Sequence, residues 1–235
     1  MKKLFKNFVA AGVCMALALS YGCKDVQPLS EPADLIPAPV EMTVTPGSIS
    51  SEGLASLPVK EKISEKALLR YLEGQELTDW QIKSAYWMEI TPKCVKIVAA
   101  DEQGAYYARQ SVKMMATIND TVACCTVLDW PRFQHRGFML DESRHYQGKE
   151  FVYKQLEMMA LLKLNCFHFH LVDNPGWRLQ IDAYPRLTQF TAWRPVEYFW
   201  DWEVNETGGD FVDEGTPGAY GGYYTKQDIA EILAF

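Results

Sequence analysis

The chain has 235 residues and a net charge of −7, from 23 lysine and arginine residues against 30 acidic residues. It contains no basic cluster or stripe, so the charge pattern argues against nucleic acid as a partner. The length allows one large domain or two small ones after the N-terminal segment.

Residues 1–22 have the pattern of a secretory signal peptide. Three lysines lie among the first six residues, and residues 8–19 form an apolar core too short to span a bilayer. Cys23 follows where cleavage is expected. We therefore predict a bacterial lipoprotein, acylated on Cys23 and anchored at the cell envelope through the outer membrane, on its periplasmic or outer surface. The alternative is an ordinary secretory signal with an incidental cysteine.

Residues 23–34 are rich in proline and acidic side chains, which predicts a tether. Residues 35–130 then predict a small α+β domain, in which strands carry a helix on one face. Alternation of apolar and polar residues and a helical period support these elements. The predicted strands cover 40–49, 86–100 and 121–128, and the predicted helix covers 105–117.

The cysteines beyond Cys23 in the mature chain are Cys94, Cys124, Cys125 and Cys166. Their spacing fits neither a zinc site nor a dense disulfide framework. We predict that they are small buried hydrophobic residues. No metal or cofactor is expected.

The sequence pattern of residues 131–235 begins with a predicted strand, helix and strand. The strands are predicted over 136–140 and 166–172, with a helix over 149–164 between them. Short joints imply parallel strands and a right-handed crossover. A long irregular stretch over 174–224 is followed by a helix that Thr225 and Asp228 cap.

Polar residues follow both predicted strands. Asp141 comes at the end of the first strand and Asp173 after the second, which is where a parallel barrel carries its functional residues. Along the second strand, Cys166, His168 and His170 share one face, while the other face is apolar. The sequence therefore predicts a site at the carboxyl ends of these two strands.

The chain resembles glycoside hydrolase family 20, the β-N-acetylhexosaminidases. The resemblance rests on short motifs in matching order and spacing: Pro131-Arg132-Phe133, His135-Arg136-Gly137, Leu140-Asp141, Ser143-Arg144-His145, Lys163-Leu164-Asn165, His168, His170-Leu171, Asp173, Gly176-Trp177-Arg178, Tyr184-Pro185-Arg186-Leu187-Thr188 and Tyr223-Tyr224-Thr225. Two earlier segments resemble the α+β domain that precedes the family's barrel: Ile36-Pro37-Ala38-Pro39 and Gly104-Ala105-Tyr106-Tyr107-Ala108. The implied fold is α/β, an N-terminal α+β domain followed by the first βα units of an incomplete (β/α)8 TIM barrel.

The resemblance implies hydrolysis of terminal N-acetylhexosamine residues from glycans. In this family the substrate's own acetamido oxygen attacks C1, with retention of configuration. Arg136 matches the arginine that binds the ring hydroxyls, and Asp173 matches an aspartate of the site's hydrogen-bond network. The alternatives are a structural ion pair of Arg136, with Asp141 as a possible partner, and a loop-capping role for Asp173.

Three further residues are candidates for support of the site. His170 could orient Asp173 or be a satisfied core residue, whereas His168 is expected in the core. Trp177 could stack on a sugar or pack at the barrel rim, and Asp141 matches a family aspartate. The aromatic residues up to Tyr224 could extend a carbohydrate surface.

The family's acid pair, in a His-x-Gly-Gly-Asp-Glu motif, is absent from the chain. Stretches around Asp210, Asp213-Glu214 and Asp141-Glu142 resemble it only by coincidence. A full barrel takes about 250 residues, so we expect a C-terminally truncated, inactive fragment of a glycosidase. The alternative is a non-catalytic, surface-anchored carbohydrate-binding lipoprotein.

Overall fold

The computed structural model describes residues 34–205 and 209–235. The predicted signal peptide, Cys23 and nearly all of the predicted tether lie outside the described residues. The elements of the first half are β1 (Glu41–Ser50), α1 (Ser51–Ser56), β2 (Val59–Ile63), α2 (Glu65–Leu68), α3 (Asp79–Ser84), β3 (Tyr86–Ile90), β4 (Val95–Ala99), α4 (Glu102–Ile118) and β5 (Thr121–Asp129).

The five strands of this half form one sheet in the order β1-β5-β3-β4-β2. Neighbours are antiparallel except β2 and β4, which are parallel. The stretch predicted over 86–100 is the antiparallel hairpin of β3 and β4. Strand β2 was not predicted, because its sequence Val-Lys-Glu-Lys-Ile is exposed throughout and shows no buried face. Its charged side chains suit a sheet edge.

Helix α4 covers one face of the sheet, as predicted. Asp101 caps its first turn by accepting a hydrogen bond from the Gln103 N–H at 2.8 Å. Ala105, Ala108 and Met115 are buried in one cluster with sheet residues. Alternate positions of β3 are also buried there, which confirms the predicted α+β unit.

The second half starts with β6 (Gly137–Asp141), α5 (Lys149–Leu161) and β7 (Cys166–His170). The two strands are parallel, and Asp141 pairs in register with His170, which confirms the predicted parallel pairing. Shorter elements follow: β8 (Val172–Asp173), β9 (Gly176–Trp177), α6 (Arg186–Gln189), β10 (Trp193–Arg194), a π-helical turn (Asp201–Asn205) and β11 (Tyr220–Gly221). Helix α7 (Lys226–Ala234) begins with the predicted capping box of Thr225 and Asp228.

A buried polar network joins the two halves. Lys163 ends α5 in the left-handed conformation, with φ of 57°, so this helix stops earlier than predicted. Its Nζ donates to Oδ2 of Asp129 at 2.8 Å and to the hydroxyl of Tyr86 at 2.9 Å. The end of α5 is thereby tied to β5 and β3.

The four cysteines of the described residues are free thiols. Cys94, Cys124 and Cys125 are buried, as predicted, whereas Cys166 is only half-buried. Across residues 34–205 and 209–235, helices are all too short or too polar to cross a bilayer.

Candidate functional site

The candidate site lies at the carboxyl ends of β6 and β7. Asp141 is the last residue of β6 and His170 the last of β7. The Glu142 N–H donates to the His170 carbonyl at 3.1 Å, so the chain leaves both strands from one edge. Parallel barrels carry their functional side chains at this edge.

Arg144 is the centre of the cluster. Its Nη1 lies 2.9 Å from Oδ2 of Asp141 and 2.7 Å from Oδ2 of Asp173. The backbone N–H of Arg144 also donates to Oδ1 of Asp141 at 3.1 Å, which closes the turn after β6. The side chain is 41% exposed. Its Nε and Nη2 donate to no group in the described part of the chain, so the protein leaves these donors available to a ligand.

His170 completes the arrangement around Asp173. Its Nε2 lies 3.0 Å from Oδ2 of Asp173 and 3.1 Å from Nη1 of Arg144, and it donates to the carboxylate when Nε2 carries the proton. The Asn174 N–H donates to Oδ1 of Asp173 at 2.7 Å. This hydrogen bond makes the largest contribution to lowering the pKa of Asp173. The hydrogen bond with His170 and the positive charge of Arg144 lower it further. The structure thus pairs His170 with Asp173, and Asp173 also caps its own loop.

Arg136 does not join this cluster. It precedes the first residue of β6, at the strand end opposite Asp141. Its Nε donates to the Lys163 carbonyl at 2.8 Å, Nη1 to the Phe133 carbonyl at 2.8 Å and Nη2 to the Tyr107 hydroxyl at 2.7 Å. The predicted grouping of Arg136 with Asp173 is therefore corrected: protein acceptors occupy all three nitrogens of Arg136, and Asp141 pairs with Arg144 instead.

Two other candidates are placed differently from expectation. His168 is exposed, so its assignment to the core is wrong. Helix α5 covers the opposite face of β7, and Met139, its partner on β6, is exposed as well. Trp177 is half-buried, and its Nε1 donates to the Leu179 carbonyl at 2.6 Å. This hydrogen bond holds the indole against its own loop.

The neighbouring carboxylates Asp141 and Glu142 do not form an acid pair. Glu142 is fully buried, and its Oε2 accepts a hydrogen bond from the Gln147 N–H at 2.8 Å. Burial raises the pKa of Glu142. The two carboxyl groups therefore occupy opposite environments, one in the cluster and one in the core.

The other two stretches that resemble the acid pair lie in the long loop before α7. Residues 206–208 fall outside the described residues. Asp213 lies 2.5 Å from Nη1 of Arg186, and both side chains are largely exposed. Among the residues that the structure describes, no histidine, cysteine and carboxylate side chains group in a way that could hold a metal ion.

The parallel strand–helix–strand unit with charged residues at its carboxyl edge is of the α/β class, in which functional sites lie at the strand ends, and an α+β domain precedes it. Comparison with known proteins specifies the family. Residues 133–235 match the catalytic domain of glycosyl hydrolase family 20. Residues 133–235 are therefore similar to the catalytic domain of this family.

Two curated relatives illustrate the similarity. A β-hexosaminidase of Vibrio vulnificus is 39% identical over 154 residues, covering 64% of this chain and 18% of the relative. A β-hexosaminidase of Akkermansia muciniphila is 32% identical over 171 residues, covering 71% of this chain and 31% of the relative. The chain thus spans less than a third of the length of these relatives.

A solved structure shows the same fold. The exo-β-N-acetylglucosaminidase of Vibrio harveyi, in complex with N-acetylglucosamine, superposes with a TM-score of 0.62 at 26% identity. The match covers 91% of this chain and 36% of that chain. Both the α+β domain and the start of the barrel are therefore included in the likeness.

Sequence reasoning assigned no role to Arg144. The residue stands within the Ser143-Arg144-His145 motif, but the sugar-binding role was predicted for the arginine before the strand. Its position three residues after the strand-end Asp141 is the signal that could have found it, because the turn after β6 folds that spacing into an ion pair.

Proposed function

We propose that this chain supplies the sugar-holding part of a β-N-acetylhexosaminidase site for terminal N-acetylhexosamine residues of glycans. The observation that carries the proposal is the partly exposed guanidinium of Arg144, whose Nη1 is fixed between Asp141 and Asp173 while its other two nitrogens donate to none of the described residues. The names of the similar proteins, β-hexosaminidases and an N-acetylglucosaminidase, support the substrate class.

The chemistry of the cluster suits a sugar ring. A guanidinium offers several donors in a fixed plane, which matches pairs of neighbouring hydroxyl oxygens. The carboxylates of Asp141 and Asp173 accept hydrogen bonds from hydroxyl protons. Donors and acceptors that alternate over a few ångströms can hold a hydroxylated ring in one orientation.

Rigid holding has a mechanistic purpose in substrate-assisted hydrolysis. The acetamido oxygen attacks C1 of the same sugar, so the nucleophile belongs to the ligand and the ring must be oriented. A separate acid protonates the leaving oxygen. The sequence lacks the His-x-Gly-Gly-Asp-Glu motif that carries this acid in the family, so we propose that these residues bind the sugar and do not cleave the glycoside by themselves.

Calorimetry with N-acetylglucosamine tests the proposal. The chain is expected to bind the sugar, and Arg144→Ala is expected to abolish the heat. Arg186→Ala is the matched control, because Arg186 pairs with Asp213 on an exposed surface. Absence of binding by a chain whose near-UV circular dichroism shows fixed tertiary packing would refute the proposal.

A second measurement addresses hydrolysis. Purified chain and p-nitrophenyl N-acetylglucosaminide are expected to release no p-nitrophenol above the uncatalysed rate. Release at an ordinary enzymatic rate would contradict a purely sugar-holding role.

The alternative is a surface-anchored carbohydrate-binding lipoprotein without catalysis. The specific observation in its favour is a complete Arg144–Asp173 cluster in a sequence without the acid-pair motif. The DNA after the last codon distinguishes the two. An in-frame stretch encoding His-x-Gly-Gly-Asp-Glu would support the enzyme, and a stop codon combined with sugar binding would support the lectin-like role.

We further propose that Cys23 carries the lipid that places this protein at the cell envelope. The basis is the signal pattern of residues 1–22 and the polar stretch that follows. Metabolic labelling with palmitate is expected to label the protein, and Cys23→Ala is expected to abolish the label. A labelled Cys23→Ala variant would contradict acylation at this position.

A further inference from the structure

Two buried arginines hold the loop that presents Arg144. Arg178 and Arg194 are both fully buried in the barrel part of the chain. Arg178 follows β9 and Arg194 ends β10, so they reach this loop from two later segments of the chain.

Their hydrogen bonds go to three consecutive carbonyls. Nε of Arg178 donates to the Glu142 carbonyl and Nη2 to the Ser143 carbonyl, each at 2.9 Å. Nη2 of Arg194 donates to the Arg144 carbonyl, also at 2.9 Å. The backbone is therefore fixed at every residue from the end of β6 to Arg144.

The same two guanidinium groups fasten the surrounding loops. Nη1 of Arg178 donates to the Gly222 carbonyl at 3.1 Å, and Nη2 of Arg194 also donates to the Glu197 carbonyl at 2.8 Å. Neither arginine has a carboxylate among its hydrogen-bond partners in the described residues. Burial, and to a smaller extent the positive charge of Arg194, lowers the pKa of Arg178 to about 10. The guanidinium is therefore still protonated at neutral pH.

The packing leaves Arg178 little freedom. A Cβ atom on Gly176 would lie 2.6 Å from Cζ of Arg178, so only glycine admits the guanidinium here. The hydroxyl of Ser143 donates to the Gly176 carbonyl at 2.8 Å. The loop after β6 and the turn at β9 are consequently fitted to each other around Arg178.

We infer that Arg178 and Arg194 are positioning residues, which place the guanidinium of Arg144 against Asp173 through the backbone of residues 142–144. The inference rests on the proposed function, since it treats Arg144 as the group that holds the sugar. According to this inference, Arg178 and Arg194 contribute to sugar affinity although neither contacts the sugar. A lysine cannot replace either one. The three nitrogens of Arg178 reach separate carbonyls, and the ammonium of a lysine ends one bond short of the position that Nη2 of Arg194 occupies.

The titration of Asp173, followed by NMR of its side-chain carboxyl carbon in the full chain, tests this inference without any sugar. Arg144→Ala removes the neighbouring cation, so the pKa of Asp173 should rise and define a reference change. Arg178→Lys and Arg194→Lys should each give the greater part of that change, although Arg144 is still present. Arg186→Lys is the matched control and should give none.

Sugar affinity provides the second measurement. Arg178→Lys should weaken N-acetylglucosamine binding at least tenfold, whereas Arg186→Lys should leave it unchanged. A folded Arg178→Lys protein whose Asp173 titrates as in the wild type would overturn the inference. Loss of near-UV circular dichroism in both lysine variants would also overturn it, because the arginines would then stabilise the whole fold.

The two proposals fail in different ways. If the wild-type chain binds no sugar, the proposed function is refuted, while the Asp173 titration still shows whether the arginines position Arg144.

Discussion

Nη1 of Arg144 lies 2.7 Å from Oδ2 of Asp173, and this ion pair joins the loop after β6 to the turn after β7. The two residues are 29 positions apart in the sequence, and they do not face each other in the pairing of β6 with β7. Tertiary structure brings them together at the barrel edge, so substitutions at this contact and at the buried groups around it should have distinct effects.

Replacing each arginine near β6 with lysine should distinguish the role of Arg144 from that of Arg136. Arg144→Lys should reduce N-acetylglucosamine affinity by about 10- to 100-fold, the range for loss of a charged hydrogen bond, with little change in stability because the side chain is partly exposed. Arg136→Lys should reduce stability and leave the N-acetylglucosamine affinity nearly unchanged, because the guanidinium of Arg136 donates to three protein groups. Calorimetry and urea unfolding of both variants measure the two effects. A large affinity loss in Arg136→Lys alone would restore Arg136 as the sugar-binding residue.

Sugar affinity should depend on pH through Asp173. The Asn174 N–H, His170 and Arg144 favour the ionised carboxylate, so its pKa is lowered. A carboxylate with a lowered pKa makes its full contribution to binding above its ordinary pKa, which is about 3.9 for aspartate. That contribution disappears as pH falls through the lowered pKa. Affinity should therefore be flat near neutrality and fall only in strong acid. Asp173→Asn should bind weakly at every pH, and a fall already near neutrality would indicate a different titrating group.

Removing the buried cation between the two halves should destabilise the protein strongly. Lys163→Ala leaves Asp129 buried without its partner, and breaking a buried pair costs about 3–5 kcal/mol. Lys96→Ala is the matched control, because its pair with Glu89 is exposed to solvent and contributes little to stability. Urea unfolding gives both values. The double variant Lys163→Met with Asp129→Asn should recover part of the loss, and equal losses for Lys163→Ala and Lys96→Ala would contradict the assignment.

Glu142→Gln should stabilise the protein at neutral pH. Burial raises the pKa of Glu142, so the folded chain holds this proton more tightly than the unfolded chain. Stability should then decrease as pH rises from the unfolded pKa to the folded pKa, by about 1.4 kcal/mol per pH unit. The glutamine variant should lose this decrease in urea unfolding at acidic and neutral pH. Glu231→Gln, at an exposed carboxylate paired with Lys149, should give no gain; a less stable Glu142→Gln protein at neutral pH would mean that the ionised group is favourable.

Much of the architecture was predictable from local pattern. Alternation identified the strand-like stretch over 86–100 that contains β3 and β4, and the helical period identified α4 and α5. Strand β2 was missed because all five of its side chains are exposed and its sequence has no buried face. The end of α5 was placed too late because apolar residues continue past Leu161. The chain instead turns at Lys163, which is left-handed and pairs with Asp129 of a distant strand.

For the site, the sequence determined its place: charged residues follow two parallel strands, and the carboxyl ends of such strands share one edge. The tertiary structure decided which arginine belongs to it. Arg136 and Arg144 lie at opposite ends of one strand, and strand direction alone does not reveal which donors the protein already uses. Burial of Arg178 and Arg194, contributed by later segments, closes the loop around Arg144, because hydrogen bonds between distant residues form only when the chain has folded.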